Sequence, residues 1–286
     1  MKTYLDCIPC FARQALDAVR MVTDDADLQL RIMRRVLWET GRFPQNTPPP
    51  AMGGRIHEII REETGTPDPY REIKRRANEF ALERLEHLRE NTRNSHNPFE
   101  TALRLAIAGN IMDWGAKPHA DVSEEAVEEI LEGCLRAPLR PGSPEEVRQR
   151  IRDSQDVLYL ADNAGEIVLD GLFIDFMPAD EVTVAVKSGP AINDATLEDA
   201  RQAGLTERVR VIGTGNQAPG VLLEECSPQF RERFAAADLI ISKGQGNYEA
   251  LSERPEPIVY LLKVKCPAVA RDTGCQIGDM MLMLPE

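Results

Sequence analysis

From Val157 onward the chain alternates short β-rich apolar runs with helical segments, and this alternation restricts the fold more than any other feature. The runs are Val157 to Ala161, Val182 to Val186, Val209 to Ile212, Leu239 to Ser242 and Ile258 to Leu262, with Met280 to Leu284 as a short last candidate. Helical segments such as Thr196 to Ala203 and Pro228 to Ala236 lie between most of them. Short apolar strands spaced by helices predict an α/β fold, a parallel sheet covered on both faces. Right-handed crossovers then place the strand ends on one edge.

Residues 1 to about 150 read as helices throughout. Helical spacing runs from Cys10 to about Met21, Ala26 to about Thr40, Arg55 to Thr64, Tyr70 to Asn91, Pro98 to about Trp114 and Ser123 to about Leu135. The run Asn46-Thr47-Pro48-Pro49-Pro50 reads as a break. Ser143-Pro144-Glu145-Glu146 combines a cap, a first-turn proline and a reaching glutamate, so it opens one more helix. The expected organisation is an α-helical domain over 1–150 and an α/β domain over 151–286.

A chain of 286 residues, 42% hydrophobic, can bury a substantial core. The net charge of −13 argues against nucleic acid, because a phosphate backbone needs a basic footprint. No apolar stretch is long enough to span a bilayer, and the N-terminus lacks a signal-peptide layout. The expectation is a soluble, cytoplasmic protein with no membrane partner. An acidic surface repels anionic metabolites at long range, so a phosphorylated ligand would need local lysine and metal charge. The six cysteines are too scattered for a secreted disulfide framework.

The polar residues after the strands point to a site. The first run ends at Asp162-Asn163, with Glu166 in the first turn of the following helix. The second ends at Lys187-Ser188-Gly189-Pro190 and leads to Asn193-Asp194. Another ends at Lys243-Gly244-Gln245-Gly246-Asn247-Tyr248-Glu249. Open α/β sheets bind ligands at this edge. Asp162, Asn163 and Asp194 are oxygen donors with no nearby Cys or His, a set suited to Mg²⁺, Mn²⁺ or a similar hard cation. Taken alone, Asp162 and Asn163 could simply cap the helix and make a turn. The helix start could receive an anion. Lys187 and Lys243 could neutralise a phosphate, while Gly244 and Gly246 permit close backbone approach. The lysine precedes those glycines, so this is no Walker loop, and Gly213-Thr214-Gly215 is only part of a dinucleotide fingerprint. Glu166 has two open readings, pairing with the helix dipole or orienting a metal-bound water.

In the helical half, Glu100 and Arg104 are one turn apart and can pair, with Asn110 and Asp113 further along. Periodicity alone favours a surface for them. Cys7-Ile8-Pro9-Cys10 is half a zinc site at a helix start, where redox chemistry is conceivable, and Cys266 is a candidate third member. A structural role is the simpler reading. The four histidines show no ligand spacing.

Taken together, Cys7-x-x-Cys10, Asn97-Pro98-Phe99-Glu100 with Gly109-Asn110-x-x-Asp113, Asp162-Asn163-Ala164-Gly165-Glu166, Gly189-Pro190-x-x-Asn193-Asp194 and Lys243-Gly244-Gln245-Gly246-Asn247-Tyr248-Glu249 resemble the damage-control phosphatase family. The likeness covers nearly the whole chain, in motif order, and is to the prokaryotic branch bearing the Cys-x-x-Cys. It implies a Rossmann-like three-layer α/β/α domain with a mostly parallel sheet plus an N-terminal α-helical domain. It implies a metal-dependent phosphatase, using Mg²⁺, Mn²⁺, Co²⁺ or Ni²⁺, that acts on small phosphometabolites such as sugar phosphates or damaged derivatives. The family's metal ligands fall on Asp162, Asn163 and Asp194, its amide and acid of the helical half on Asn110 and Asp113, and its phosphate-binding lysine on Lys243. In the reading built on it, Asp162, Glu166, Lys243, Asn110 and Asp113 carry the chemistry, and Lys187, Gly189, Gly244, Gly246, Asn247, Glu100 and Arg104 contact substrate or phosphate. Two rival functions stay open, an S-adenosylmethionine-dependent carboxyl methyltransferase and a non-catalytic metal- or phosphometabolite-binding protein. Oligomeric state is open as well.

Overall fold

A computed structural model of the chain describes residues 1–109, 129, 132–178 and 180–285. Its centre is a seven-stranded sheet of order β1-β7-β6-β5-β2-β3-β4. The strands are β1 (Leu139–Pro141), β2 (Val157–Leu160), β3 (Val182–Val186), β4 (Arg210–Gly213), β5 (Leu239–Lys243), β6 (Ile258–Lys263) and β7 (Met280–Met283). β2 to β6 pair in parallel, β7 is antiparallel to β6, and β1 is parallel to β7. Every residue of β2, β3 and β5 is buried, as expected for strands covered on both faces.

The helices are α1 (Cys7–Val22), α2 (Ala26–Thr40), α3 (Pro49–Thr64), α4 (Arg71–Asn94), α5 (Pro98–Gly109), α6 (Pro144–Asp153), α7 (Glu166–Ile174), α8 (Leu197–Gln202), α9 (Pro228–Ala236), α10 (Gln245–Leu251) and α11 (Pro267–Thr273). They form two layers, and strand alternation assigns each layer its core. Val157, Tyr159, Val184, Leu239 and Ile241 pack with α5, α6 and α7. Leu158, Leu160, Ala185 and Ile240 pack with α1, α2, α3, α9 and α10. The result is a three-layer, Rossmann-like α/β/α arrangement in which helices from before residue 150 cover both sheet faces.

The elements differ from the sequence expectation in three places. α3 begins at Pro49, inside the proline run read as a break. Proline is tolerated in a first helical turn, where its missing N–H has no partner to lose. Leu139–Pro141, within the half read as all helix, forms edge strand β1. Lys243, read as following the strand, is the last residue of β5, and most of the polar run after it forms α10 from Gln245. The expected helix from Ser123 lies largely outside the described residues. No helix among the described residues is long and apolar enough to cross a membrane.

From β2 the chain proceeds outward through β3 to β4, then returns to the other side of β2 to lay down β5 and β6. The order reverses between β2 and β5, so the loops leaving these neighbours diverge and open a crevice at their carboxyl ends.

Candidate active site

The loops after β2 and β3 are joined by backbone. The Ala195 amide donates to the Asp162 carbonyl at 2.7 Å, and the Ala164 amide donates to the Asn193 carbonyl at 2.9 Å. Asn163 and Asp194 form an isolated antiparallel bridge. Asp162, Asn163 and Asp194, distant in sequence, therefore sit together in a cavity of about 420 Å³. Ile192, just before this turn, holds a left-handed φ of 49°, a strained conformation for a β-branched residue.

The Asn163 carboxamide is oriented by its donors. Its Nδ2 donates to Asp162 Oδ2 at 2.8 Å and to Glu166 Oε2 at 3.1 Å. That leaves its Oδ1 as the atom available to a cation. Asp162 is buried, and burial, followed by the charges of Glu166 and Asp194, holds its carboxyl well above the usual carboxylate range. Lys265 and Lys187 act in the opposite sense without overcoming this. A bound cation would reverse that logic. Two buried carboxylates and one aimed amide oxygen therefore fit a hard divalent ion. Gly244, at φ 79°, faces Asp162 so closely that a Cβ there would overlap the carboxylate.

Lys243 lies beneath this floor rather than on the cavity wall. It is 0% exposed, and its Nζ donates to Glu166 Oε1 at 2.7 Å, Asp170 Oδ1 at 2.5 Å and the Ala106 carbonyl at 2.8 Å. Burial alone would lower its pKa, but the Asp170 and Glu166 carboxylates outweigh burial and raise it. Burial pushes Asp170 up to about 7 despite the lysine. All of the lysine's donors are used internally, which places it out of reach of a phosphate in the cavity. Glu166 is equally enclosed and links Lys243 to Asn163.

Two amides just ahead of α7 are also taken. Those of Ala164 and Gly165 donate to the Asn193 carbonyl and to Asn78 Oδ1 respectively. These two amides are therefore not open to an anion at this helix start.

Of the other sequence candidates, Gly246, Cys7, Cys10 and Cys266 line the cavity. Burial pushes the Cys7 thiol up to about 11 and also raises Cys10 and Cys266, so all three are neutral thiols near pH 7. Among the described residues no group of three His, Cys, Asp or Glu side chains is arranged to hold a metal, and the three thiols stand on the cavity wall. Lys187 is buried, 3.6 Å from Asp194, and donates to the Gly220 carbonyl. Asn247 is buried, with its Nδ2 donating to the Lys243 and Ala161 carbonyls, and so ties α10 to β2. Gly189 packs on the Gln217 side chain, outside the cavity lining. Arg104 pairs with Glu100 at 2.8 Å and donates to the Ala137 carbonyl, bracing the chain near residue 137 rather than the cleft. Asn110 and Asp113 lie outside the described residues.

Sequence reading missed Asp170, Asn78, Lys265 and Arg13. The last two line the cavity. Asp170 left a signal, since it follows Glu166 by one turn as the other charged residue of an otherwise apolar helix. Asn78 and Arg13 left none, because each sits among polar helix-surface residues.

The fold and its switch-point cleft define an α/β protein with a candidate ligand site lined by α1, α3 and α10 and by the loops after β2, β3, β4 and β6. Comparison with known proteins assigns the family. Residues 3–281 match the family described as "Damage-control phosphatase ARMT1-like domain". The chain is 36% identical over 288 residues to the damage-control phosphatase of Pyrococcus horikoshii, covering 99% of this chain and 98% of that one. It is 35% identical over 285 residues to the damage-control phosphatase of Archaeoglobus fulgidus, with 98% of each covered. The crystal structure of a DUF89 family protein from Pyrococcus horikoshii matches with a TM-score of 0.90 at 35% identity, with 100% of both chains covered. The chain belongs to the damage-control phosphatase ARMT1-like family. That membership supports a phosphatase-type function and implies a metal cofactor.

Proposed function

We propose that the cleft is the active site of a metal-dependent phosphatase that hydrolyses phosphomonoesters of small metabolites. The observation that carries this reading is the convergence of Asp162, Asn163 and Asp194, with Asn163 Oδ1 left available by the amide's two donated bonds. In this reading these three residues hold the divalent ion. When bound, the ion would polarise a phosphoryl oxygen and make water a stronger nucleophile at neutral pH.

The protein's own part is positional and electrostatic. Lys187, beside Asp194, and Lys265, on the cavity wall, are the cations whose fields reach Asp162. They take the charge-stabilising role that sequence reading gave to Lys187 and Lys243. Lys243 acts indirectly, by holding Glu166 in place against Asn163. The cavity, about 420 Å³, suits a metabolite rather than a macromolecule. Asp6, Asp17 and Glu249 on its wall can accept hydrogen bonds from hydroxyl groups, which favours sugar phosphates and related damaged phosphometabolites.

The test is phosphate release from a panel of phosphomonoesters after EDTA treatment and readdition of Mg²⁺, Mn²⁺, Co²⁺ or Ni²⁺. Turnover should return with metal, and Asp162→Asn should reduce it by roughly 100-fold or more. Turnover that ignores metal, or an Asp162→Asn variant equal to wild type, refutes the reading. Tight S-adenosylmethionine binding without phosphate release would favour the methyltransferase instead.

A further inference from the structure

We propose that Asn78, on α4, is a positioning residue that ties together the two loops carrying Asp162, Asn163 and Asp194. Its side chain is fully buried and uses one end on the loop after β2 and the other on α8. The Oδ1 accepts from the Gly165 amide at 2.6 Å, in the loop after β2. The Nδ2 donates to Asp199 Oδ1 at 2.9 Å and to Gln202 Oε1 at 2.8 Å. Asp199 in turn uses its Oδ2 on the loop after β3, accepting from the Thr196 amide at 2.8 Å and the Thr196 hydroxyl at 2.6 Å. Thr196 stands two residues past Asp194. The chain Gly165–Asn78–Asp199–Thr196 therefore spans the two ligand-bearing loops on the side away from the cavity, while backbone bonds join them directly.

The chemistry of the linkage specifies an amide. Gly165 presents a donor and Asp199 an acceptor, so the residue between them must accept at one end and donate at the other. A carboxylate would face Asp199 with like charge, and an apolar side chain would leave a buried amide hydrogen without a partner. Two further features hold α4 in register. A Cβ on Gly165 would lie 2.9 Å from the Ala77 carbonyl oxygen, so the loop is seated directly on the helix. Lys74, one turn before Asn78, is buried 3.2 Å from Asp68 and 3.7 Å from Asp199. Groups of this kind behind metal ligands commonly set affinity by 10- to 100-fold.

This inference rests on the proposed function only in taking the two loops as ligand-bearing, and its test has a metal-free arm for that reason. Hydrogen exchange is measured on metal-free wild type, Asn78→Ala, Asn78→Asp and the exchanged pair Asn78→Asp with Asp199→Asn, and Mn²⁺ binding is measured by calorimetry. Both single variants should exchange the amides of residues 163–166 and 194–196 at least ~10-fold faster, with the β5 amides unchanged. Mn²⁺ affinity should fall ~10- to 100-fold. The exchanged pair recreates a donor and an acceptor at the joint and should return both readouts to within about 3-fold of wild type, which a merely local packing defect would not do. Loop exchange equal to wild type in both single variants overturns the proposal. If wild type binds no Mn²⁺ while loop exchange responds as expected, Asn78 keeps its positioning role and the metal-dependent reading falls.

Discussion

Replacing Lys243 with methionine separates a lysine that contacts substrate from one that holds the floor of the site. Methionine keeps an unbranched apolar stem of similar reach while removing the ammonium group. In the native protein Nζ bridges Glu166 at 2.7 Å and Asp170 at 2.5 Å, and all three side chains are 0% exposed. The variant leaves two buried carboxylates without their counterion. Removing one member of such a pair costs about 3–5 kcal/mol. For 286 residues, at about 2 °C per kcal/mol, the melting temperature should fall by roughly 6–10 °C.

The pH dependence supplies a second signature. Burial already pushes Asp170 up to about 7. A carboxyl whose folded pKa is raised holds its proton more tightly when folded, so its contribution is present at low pH and lost as pH rises through the folded value. Without Lys243 this rise is larger, and the deficit of Lys243→Met should grow from pH 5 to pH 8. Adding Glu166→Gln and Asp170→Asn removes the stranded charges and should recover most of the loss, since neutral replacement of buried ion clusters is often tolerated. Calorimetric melting across pH measures all of this. A Lys243→Met variant that melts within about 1 °C of wild type at pH 8, but loses turnover with a raised KM, would refute the reasoning and return the lysine to the substrate.

Other consequences are testable independently. Gly244→Ala must adopt a positive φ at a cost of about 1–2 kcal/mol and displace the Asp162 carboxylate, so it should lower both the melting temperature and Mn²⁺ affinity; unchanged Mn²⁺ titration would show that Asp162 is not held as described. His57 is buried, with its pKa lowered from 6.5 to about 4 by burial, so the unfolded chain binds the proton first and stability should fall by roughly 3 kcal/mol as pH drops through that window. Urea unfolding at pH 7 and pH 4.5 should show a smaller acid loss in His57→Phe than in wild type, and equal losses would contradict this. Cys7, pushed up to about 11, should react with iodoacetamide roughly 100-fold more slowly than an unperturbed cysteine at pH 7.5; rapid labelling of the folded protein would show a thiolate instead.

Some of this architecture was legible in the sequence and some was not, for physical reasons. β2, β3 and β5 stood out because strands buried on both faces are uninterrupted apolar runs between polar turns. β1 did not, since three residues including a proline at a sheet edge carry no pattern. Asp162 and Asn163 were visible as an abrupt polar stop. Asn78 was not, because one asparagine among helix-surface polar residues looks like any other, and its partners at Gly165 and Asp199 are tertiary.

The two lysines at strand ends show where more could have been read. Along β5, Leu239 and Ile241 belong to the core beneath α5 and α7, and Lys243 continues the same parity. Along β3, Val182, Val184 and Val186 belong to that core, whereas Ala185 faces α1 and α3, and Lys187 follows the parity of Ala185. Leu158 and Leu160 also face α1 and α3, and Asp162 continues them. Period-two alternation along paired strands thus sorts Asp162 and Lys187 to one face and Lys243 to the other. It cannot say which face carries the cavity. That depends on Cys7, Phe11 and Tyr70 arriving over one side while Glu166 and Asp170 arrive beneath the other, and Asp170 reaches Lys243 from 73 residues away. Lysines at the ends of two parallel strands therefore bear different chemistry, one beside Asp162 and Asp194 and one locked under them, because they enter the edge in opposite phase.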